Sequence, residues 1–196
     1  MIESLYKPFQ HWSEQGTIWL YSDTHFNDDD DLLVPFPNRP SAEEQVKMIN
    51  SKVGRKDTLL LLGDVGDVEF AKKLRGYKVL VCGNHDQGAS IYADAFDEIY
   101  TGPVMISEKI ILSHEPLAIE WAFNIHGHTH LLSKVRPGHL CVCSDVIGYE
   151  PINFNQFLKK SGRLKEITPM HRITIDKATE RAHKRGYRAK LDLYEG

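Results

Sequence analysis

The chain has 196 residues and a mass of 22.4 kDa, with 41% hydrophobic residues, 26% charged residues and a net charge of −3. This composition is that of an ordinary globular protein and excludes the disordered, collagen-like and small disulfide-stabilised classes. The longest apolar run, around residues 59–62, is far shorter than the roughly 20 residues of a membrane-spanning helix. The N-terminus also lacks the basic and then apolar segments of a secretion signal. We therefore expect a cytoplasmic protein without membrane contact.

Three cysteines, Cys82, Cys141 and Cys143, are too few for a disulfide framework, which agrees with a reducing compartment. Cys141 and Cys143 share one face of a predicted strand, but a zinc site would need further sulfur or nitrogen donors at matching spacing. We expect these thiols to be buried as small hydrophobic groups.

Charge is distributed unevenly along the chain. Residues 159–196 carry 11 Lys and Arg against 5 Asp and Glu, whereas residues 1–158 carry 13 against 22. The two parts therefore have net charges of +6 and −9. A basic segment is one feature of proteins that bind nucleic acid, although charged helical faces more often face solvent. The acidic run at 28–31 is interpreted as an exposed loop that repels polyanions.

The first half of the chain alternates apolar strands with helical segments. Ser41 and Glu44 form the sequence signature of a capping box in front of a helix. Residues 27–40 are acidic and rich in proline, which predicts a loop. Strands are predicted at 17–22, 58–62 and 77–82, and helices at 42–53 and 68–74. This βαβαβ order predicts a parallel sheet.

The second half of the chain changes character. A hairpin is predicted at 104–107 and 110–113, and short strands at 123–126 and 140–144. These strands predict a second sheet that is largely antiparallel. Helices are predicted at 154–160 and 177–190. We expect one α/β domain over residues 1–160 and a basic, partly helical C-terminal extension over residues 161–196.

Side chains that can bind metal ions follow the apolar strands, at the points where the strands end. Because the carboxyl ends of parallel strands meet at one edge of a sheet, we expect these side chains to converge there. Carboxylate, amide and imidazole donors together fit Mn, Fe, Zn or Ni, whereas Ca and Mg sites are dominated by oxygen. The set is large enough for two divalent ions, an arrangement suited to phosphoryl displacement. The candidate ligands are Asp23, His25, Asp64, Asn84, His114, His128 and His130.

These residues belong to five motifs that occur in a fixed order. The motifs are Asp23-x-His25, Gly63-Asp64, Gly83-Asn84-His85-Asp86, His114 and Gly127-His128-x-His130. The ordered set resembles the calcineurin-like metallophosphoesterase superfamily, in particular its small phage-like and bacterial members, and spans residues 18–130. The resemblance implies an α/β fold, a four-layer αββα sandwich of two mixed β-sheets flanked by helices, with the metal site at the strand ends.

The resemblance also implies a role for each motif residue. Asp23, His25 and His130 bind one ion, Asn84, His114 and His128 bind the second, and Asp64 bridges the two. A bridging hydroxide attacks phosphorus, His85 protonates or stabilises the leaving oxygen, and Asp86 orients His85. Mn is the favoured ion of the two-metal centre. The implied function is a metal-dependent hydrolase of phosphoester bonds, a phosphodiesterase or phosphatase acting on small substrates.

One motif departs from the protein Ser/Thr phosphatases of the superfamily. Many of them follow the bridging Asp with an Asp-Arg-Gly element, whereas here Asp64 is followed by Val-Gly-Asp. The phosphate-binding Arg of that element is absent, which argues against protein phosphatase activity. Arg39 is a candidate for a replacement phosphate contact. His126, beside the two ligand histidines, is expected to have a structural role.

Two alternatives remain open on the sequence. A nuclease acting on single strands or ends would use the basic C-terminal segment, but the acidic charge of residues 1–158 opposes it. A non-catalytic scaffold with the same fold, of the kind that the retromer subunit represents, would carry an impaired site. The intact His85 and the seven ligands favour an enzyme.

Overall fold

Ten strands and five α-helices form the regular structure of the residues that the computed structural model describes, which are 2–28, 36, 38–130, 135–168 and 170–184. The strands are β1 (Ile18–Tyr21), β2 (Thr58–Leu61), β3 (Tyr77–Val81), β4 (Glu98–Tyr100), β5 (Val104–Ser107), β6 (Ile110–Leu112), β7 (Phe123–His126), β8 (Val135–Arg136), β9 (His139–Cys141) and β10 (Ile152–Asn153). The helices are α1 (Ala42–Lys52), α2 (Val68–Ala71), α3 (Ser144–Ile147), α4 (Phe154–Lys160) and α5 (Met170–Lys184).

The first sheet has the strand order β10-β1-β2-β3-β4. Strands β1 to β4 are parallel, with Leu20 opposite Leu60 and Leu60 opposite Val79, and β10 pairs antiparallel with β1. The predicted βαβαβ unit is thereby confirmed. Because these four strands run in the same direction, the segments that follow β1, β2 and β3 leave the sheet at one edge.

The helices between these strands begin where the sequence predicts. The Ser41 hydroxyl accepts a hydrogen bond from the Glu44 backbone N–H, and the Glu44 carboxylate accepts one from the Ser41 N–H. This reciprocal pair is the predicted capping box at the start of α1. Helix α2 ends at Ala71, three residues before the predicted end, because the chain must turn back into β3. Gly76 makes that turn with a φ of 91°, which glycine adopts without a steric penalty.

The second sheet has the order β5-β6-β7-β9-β8 and contains the predicted hairpin of β5 and β6. Strand β6 pairs parallel with β7, and β7 pairs parallel with β9, whereas β8 pairs antiparallel with β9. The prediction of a largely antiparallel sheet was therefore wrong, since long crossovers rather than hairpins join β6 to β7 and β7 to β9. Strand β9 also ends at Cys141, and residue Ser144 begins α3 instead of closing the predicted strand.

The alternating side chains of β2 distribute the core over two layers. Leu60 and Leu62 point into the space between the two sheets, in one cluster with Ile125 of β7. Leu59 and Leu61 point the other way, in a cluster with Ile49 of α1. This period of two is the pattern of a strand that is buried on both faces. The architecture is a mixed α/β sandwich, in which two mixed sheets are flanked by helices.

The segment after residue 160 begins against this core and continues into a helix. Leu164 and Ile167 pack against the cluster between the sheets. Helix α5 begins at Met170, seven residues before the predicted start, and residues 185–190 of the predicted helix lie outside the described residues. Within the described part of the chain, no helix has both the length and the apolar character that crossing a bilayer requires.

Candidate metal centre

The strand ends bring all seven predicted ligands to one edge of the two sheets. Backbone hydrogen bonds join the segments that carry them, because the Asp23 N–H donates to Gly63 and the His25 N–H to Asp64. The Gly127 N–H donates to the carbonyl of His114 across the second sheet. The ligands therefore come from five strand ends, and main-chain hydrogen bonds join the end of β1 to that of β2 and the end of β6 to that of β7.

The ligands form two groups, in which donor atoms lie within 4.8 Å of one another. The first group consists of Asp23, His25 and His130, with His130 Nε2 at 3.5 Å from Asp23 Oδ1. The Asp23 carboxylate also accepts the His128 backbone N–H at 3.0 Å. These are the residues that the sequence assigns to the first ion.

The second group consists of Asp64, His114 and His128, with Asn84 beside them. Asn84 Oδ1 lies 2.8 Å from His114 Nε2 and 3.0 Å from His128 Nδ1. The two imidazole nitrogens are 3.2 Å apart. An amide oxygen and two ring nitrogens so close together present lone pairs to one small volume, which is what a transition-metal ion requires.

Asp64 is the residue that contacts both groups. Its Oδ2 lies 3.1 Å from His114 Nε2 and 3.6 Å from His25 Nε2, and its Oδ1 accepts the His85 backbone N–H at 3.0 Å. Burial alone would raise the pKa of Asp64, but the hydrogen bond and charge of His114 outweigh burial and lower it. Desolvation alone would lower the pKa of His114, yet its contacts with Asp64 and Asp23 raise it to about 9.

Three of the histidines are oriented by an acceptor behind the ring. His25 Nδ1 donates to the Asp28 carboxylate at 3.0 Å, and His114 Nδ1 donates to the Leu62 carbonyl at 2.8 Å. His130 Nδ1 donates to the Asp145 carboxylate at 2.6 Å. Each ring therefore presents its Nε2 to the centre, and such outer acceptors are typical of histidines that bind metals.

One observation in the structure supports the fit between these donors and metal ions. His25 Nε2 is fully buried, and among the described residues no hydrogen-bond partner for it is present, although Asp64 lies 3.6 Å away. A buried polar atom without a partner is rare, because it loses its hydration and gains nothing in return. A metal ion between His25 and Asp64 would satisfy it.

Glycine allows the close approach of these segments at two positions. A Cβ atom at Gly127 would collide with the Ser22 hydroxyl and the Asp23 carboxylate, and one at Gly83 would collide with the Asp64 carboxylate. Glycine is therefore required before His128 and before Asn84, because the space beside the carboxylates is too small for a Cβ atom.

Four candidate ligands have a strained backbone. Asp23, His25, Asp64 and His128 have φ values of 59°, 39°, 53° and 65°. Residues other than glycine rarely adopt this left-handed region, and they cluster there at functional sites where the surrounding structure holds them. The strain turns each side chain away from the direction of its strand and towards the shared centre.

His85 and Asp86, the predicted catalytic pair, lie next to the centre. The His85 side chain is exposed, and its ring centroid lies 5.5 Å from that of His25. Asp86 accepts the backbone N–H groups of Asp64, Val65 and Gly83, at 3.1, 2.9 and 2.7 Å. Asp86 thus holds the Asp64 and Asn84 segments together, which is a role that the sequence did not reveal. That Asp86 also orients His85 stays a prediction.

The Arg39 side chain is engaged by protein groups and is not available to contact a phosphate group. Its guanidinium pairs with Asp145 at 2.6 Å, donates to the Thr24 carbonyl at 2.9 Å and bonds the Asp23 carbonyl, and its side chain is only 10% exposed. Arg39 therefore ties the segment after β1 to α3. The prediction of a phosphate contact was wrong because the guanidinium is paired with Asp145, which lies 106 residues away in sequence and meets Arg39 only in the fold.

The acceptors Asp28 and Asp145 are the functional residues that sequence patterns did not identify. Asp28 belongs to the acidic run interpreted as exposed, yet it is half-buried against His25, while residues 29–31 lie outside the described residues. Asp145 is nearly buried between His130, Arg39 and Tyr149. Burial alone would raise the pKa of Asp145, but hydrogen bonds from His130 and Tyr149 lower it.

Cys143 lies beside this contact, with Sγ at 3.4 Å from His130 Nδ1. Burial raises the pKa of the Cys143 thiol well above its usual range, so the group stays neutral and resembles a small apolar side chain. Cys141 is also buried, so the predicted burial of both thiols is confirmed. The neighbouring His126 is buried too, and its Nδ1 lies 2.8 Å from the Gly127 carbonyl, as expected for a structural residue.

Replacing Gly127 by Ala tests the steric requirement. We expect Gly127→Ala to lower the free energy of unfolding by about 1–3 kcal/mol, because the added methyl group meets the buried Ser22 and Asp23 side chains. The control is Gly102→Ala, where a Cβ atom meets open space, with an expected change within about 0.5 kcal/mol. Urea denaturation measures both, and equal effects would contradict the steric role of Gly127.

Replacing Asp145 by Asn tests whether the Asp145 carboxylate strengthens metal binding by His130. Asn keeps an oxygen that accepts from His130 Nδ1 but removes the negative charge, so we expect metal affinity to fall about tenfold or more. The control Glu150→Gln removes one charge from a side chain that is 64% exposed. Titration with Mn²⁺ against a competing chelator measures the affinity, and an unchanged affinity in Asp145→Asn would show that Asp145 has no influence on the ion.

The raised pKa of His114 predicts a pH dependence for the metal-free protein. A histidine whose pKa is raised by folding stabilises the fold below its unfolded pKa of about 6.5, and this stabilisation is lost as the pH rises through about 9. Between pH 6.5 and pH 9.5 the free energy of unfolding should therefore fall by roughly 3 kcal/mol in chelator. The variant His114→Gln should lose this dependence, whereas replacement of the exposed His183 should not. An equal slope in His114→Gln would refute the assignment.

Comparisons with known proteins support the fold of the chain but indicate no function. No protein-family model matches the sequence, and no curated protein matches it. Among solved structures, the chain is similar to the crystal structure of AQ665, a protein of unknown function from Aquifex aeolicus, at 24% sequence identity and a TM-score of 0.62. The alignment covers 73% of this chain and 98% of that chain. Similarity at this identity supports a shared fold alone.

Proposed function

We propose that the protein is a two-metal hydrolase of phosphoester bonds with the αββα sandwich of the calcineurin-like metallophosphoesterases. The observation that carries this proposal is Asp64, whose single carboxylate touches histidines of both ligand groups. A carboxylate shared by two sets of mixed nitrogen and oxygen donors is suited to hold two ions side by side. The order of the five motifs and the two mixed sheets support the same assignment.

Each ligand group would hold one divalent ion. Asp23, His25 and His130 would bind the first, Asn84, His114 and His128 the second, and Asp64 both. Mixed nitrogen and oxygen donors fit Mn, Fe, Zn or Ni, with Mn favoured. When bound, such a pair neutralises the charge that develops on phosphoryl oxygens and lowers the pKa of a water molecule so that it can act as nucleophile at neutral pH.

The protein's own groups supply position and a proton. His85 is exposed beside the centre, and its backbone N–H is held by Asp64, so its imidazole can reach the oxygen that leaves phosphorus. There His85 acts as general acid and gives a proton to the leaving oxygen. The three amides on Asp86 keep the Asp64 and Asn84 segments at a constant separation while this happens.

Small substrates are favoured over phosphoproteins. The motif after Asp64 carries no arginine, and Arg39 is used to tie the Asp23 segment to α3. Neither position therefore offers a guanidinium to the phosphate, so the two ions and His85 would bind it. Nucleic acid is the second candidate class, and only the positive charge of residues 159–196 favours it.

Metal content and turnover test the proposal together. We expect the purified protein to bind about two metal ions per chain and to hydrolyse bis-p-nitrophenyl phosphate or p-nitrophenyl phosphate with added Mn²⁺. Asp64→Asn should lose both the ions and the activity, because it removes the shared charge. A protein that binds no metal and turns over neither ester would be a scaffold, and hydrolysis of oligonucleotides alone would indicate a nuclease.

The role of His85 has a sharper test. His85→Ala should keep its metal ions but lose about 10²–10⁴-fold in rate with an alkyl phosphoester, whose poor leaving group needs a proton. The loss should be much smaller with a p-nitrophenyl ester, because p-nitrophenolate leaves without protonation. Replacement of the exposed His183 by Ala is the matched control. Equal losses with both esters, or loss of metal, would contradict the assignment of His85 as acid.

A further inference from the structure

A cavity of about 390 Å³ lies beside the metal centre, on the side of His85. Its walls are the segment after β1, the turn before α2 and the short 3-10 helix Ala89–Tyr92. The cavity and the centre share His85, whose ring lies 5.5 Å from that of His25. A group released from phosphorus towards His85 would therefore enter this cavity.

Part of the cavity wall is apolar. Ile91 is 44% exposed, and together with Val68 it offers aliphatic surface to a bound group. Phe26 and Tyr92 also line the cavity, although both rings are almost fully buried. Aliphatic surface of this kind binds methyl and methylene groups.

Besides His85, the groups of the described cavity wall that ionise near neutral pH are carboxylates. Asp67 is held in place, since its Oδ1 accepts the Glu69 N–H at 2.9 Å and its Oδ2 accepts from the Asn27 amide at 3.1 Å. Asp28 is held by His25. Among the described residues that line the cavity, none is Lys or Arg. Once His85 has given its proton to the leaving oxygen, the two carboxylates are the charges that remain in the described wall.

We propose that this cavity is the binding site for the leaving alcohol, and that it selects an alcohol without negative charge, binding one that carries an ammonium group most strongly. The inference rests on the proposed function. In the reaction the bond between phosphorus and the alcohol oxygen breaks, water supplies the oxygen that replaces it, and a proton passes to the alcohol. The alcohol is thus the product that the cavity holds.

The same charges disfavour a nucleic-acid leaving group. A nucleotide chain would bring further phosphates next to Asp28 and Asp67, where like charges repel. A basic cavity wall would be needed to offset that repulsion. The site is therefore suited to small esters of neutral or cationic alcohols.

Three esters whose leaving alcohols carry a positive, a zero and a negative charge test the proposal. Phosphate esters of choline, ethylene glycol and glycolate, as monoesters or as methyl diesters according to the class that the enzyme hydrolyses, present a cationic, a neutral and an anionic alcohol. We expect kcat/KM to fall in that order, with about a tenfold or larger difference between the choline and glycolate esters. Equal values, or a preference for glycolate, would overturn the proposal.

The variant Asp67→Asn identifies the source of the preference. Asn caps a helix as well as Asp does, so α2 keeps its N-cap while the cavity loses one charge. We expect the ratio of kcat/KM for the choline and glycolate esters to fall at least threefold. The matched control Glu69→Gln removes one charge from a side chain that is 65% exposed, two residues away, and should leave the ratio unchanged.

A binding measurement without turnover separates this inference from the proposed function. Methyl NMR signals of Val68 and Ile91 should shift when choline is added to the metal-free protein, and glycolate should leave them unchanged. Metal binding and ester hydrolysis without charge preference, and without these shifts, would refute the cavity assignment while the hydrolase stands. Choline shifts in a protein without phosphoesterase activity would refute the hydrolase and the assignment of its leaving group.

Discussion

The contact between the Asp64 carboxylate and the histidines on either side of it is the constraint on which the site depends. One oxygen faces His114 and His25, and the other accepts the His85 amide. A buried carboxylate is stable only when it is fully paired, and these groups come from three separate strand ends. The relative position of the two sheets at this edge is therefore determined by a single side chain as much as by the apolar core beneath it.

Several features around Asp64 also hold the candidate ligands close together. The left-handed backbone of Asp23, His25, Asp64 and His128 directs side chains inward, and Gly83 and Gly127 leave room for the carboxylates. Asp86 joins two of the loops through backbone amides. Such a site is organised before any ligand arrives, so little energy would be needed to rearrange it when a ligand binds.

The sequence predicted the parts of the molecule that depend on local patterns. Apolar strands such as 58–62 are clear in the sequence, and a polar residue follows each of them. Because these polar residues stand at the carboxyl ends of parallel strands, Asp23, Asp64 and Asn84 could be placed together from the sequence. Asp28 and Asp145 could not be placed at the site from the sequence, because their role depends on the histidine that each of them contacts in the fold. Local patterns also failed to predict the mixed second sheet, because the loops that join its strands carry no helical pattern that would indicate a crossover. Only the resemblance implied two mixed sheets.

The tie between Arg39 and Asp145 determines when the first ligand group is completed as the chain folds. His130, its partner Asp145 and the Arg39 strap come together only when α3 has joined the domain. During synthesis the chain emerges from its N-terminus, so a nascent chain that ends before residue 145 carries most of the ligands without the support that holds the last of them. His130 therefore gains its full support only after α3 has folded, so the proposed metal centre would reach its full affinity for an ion late in folding.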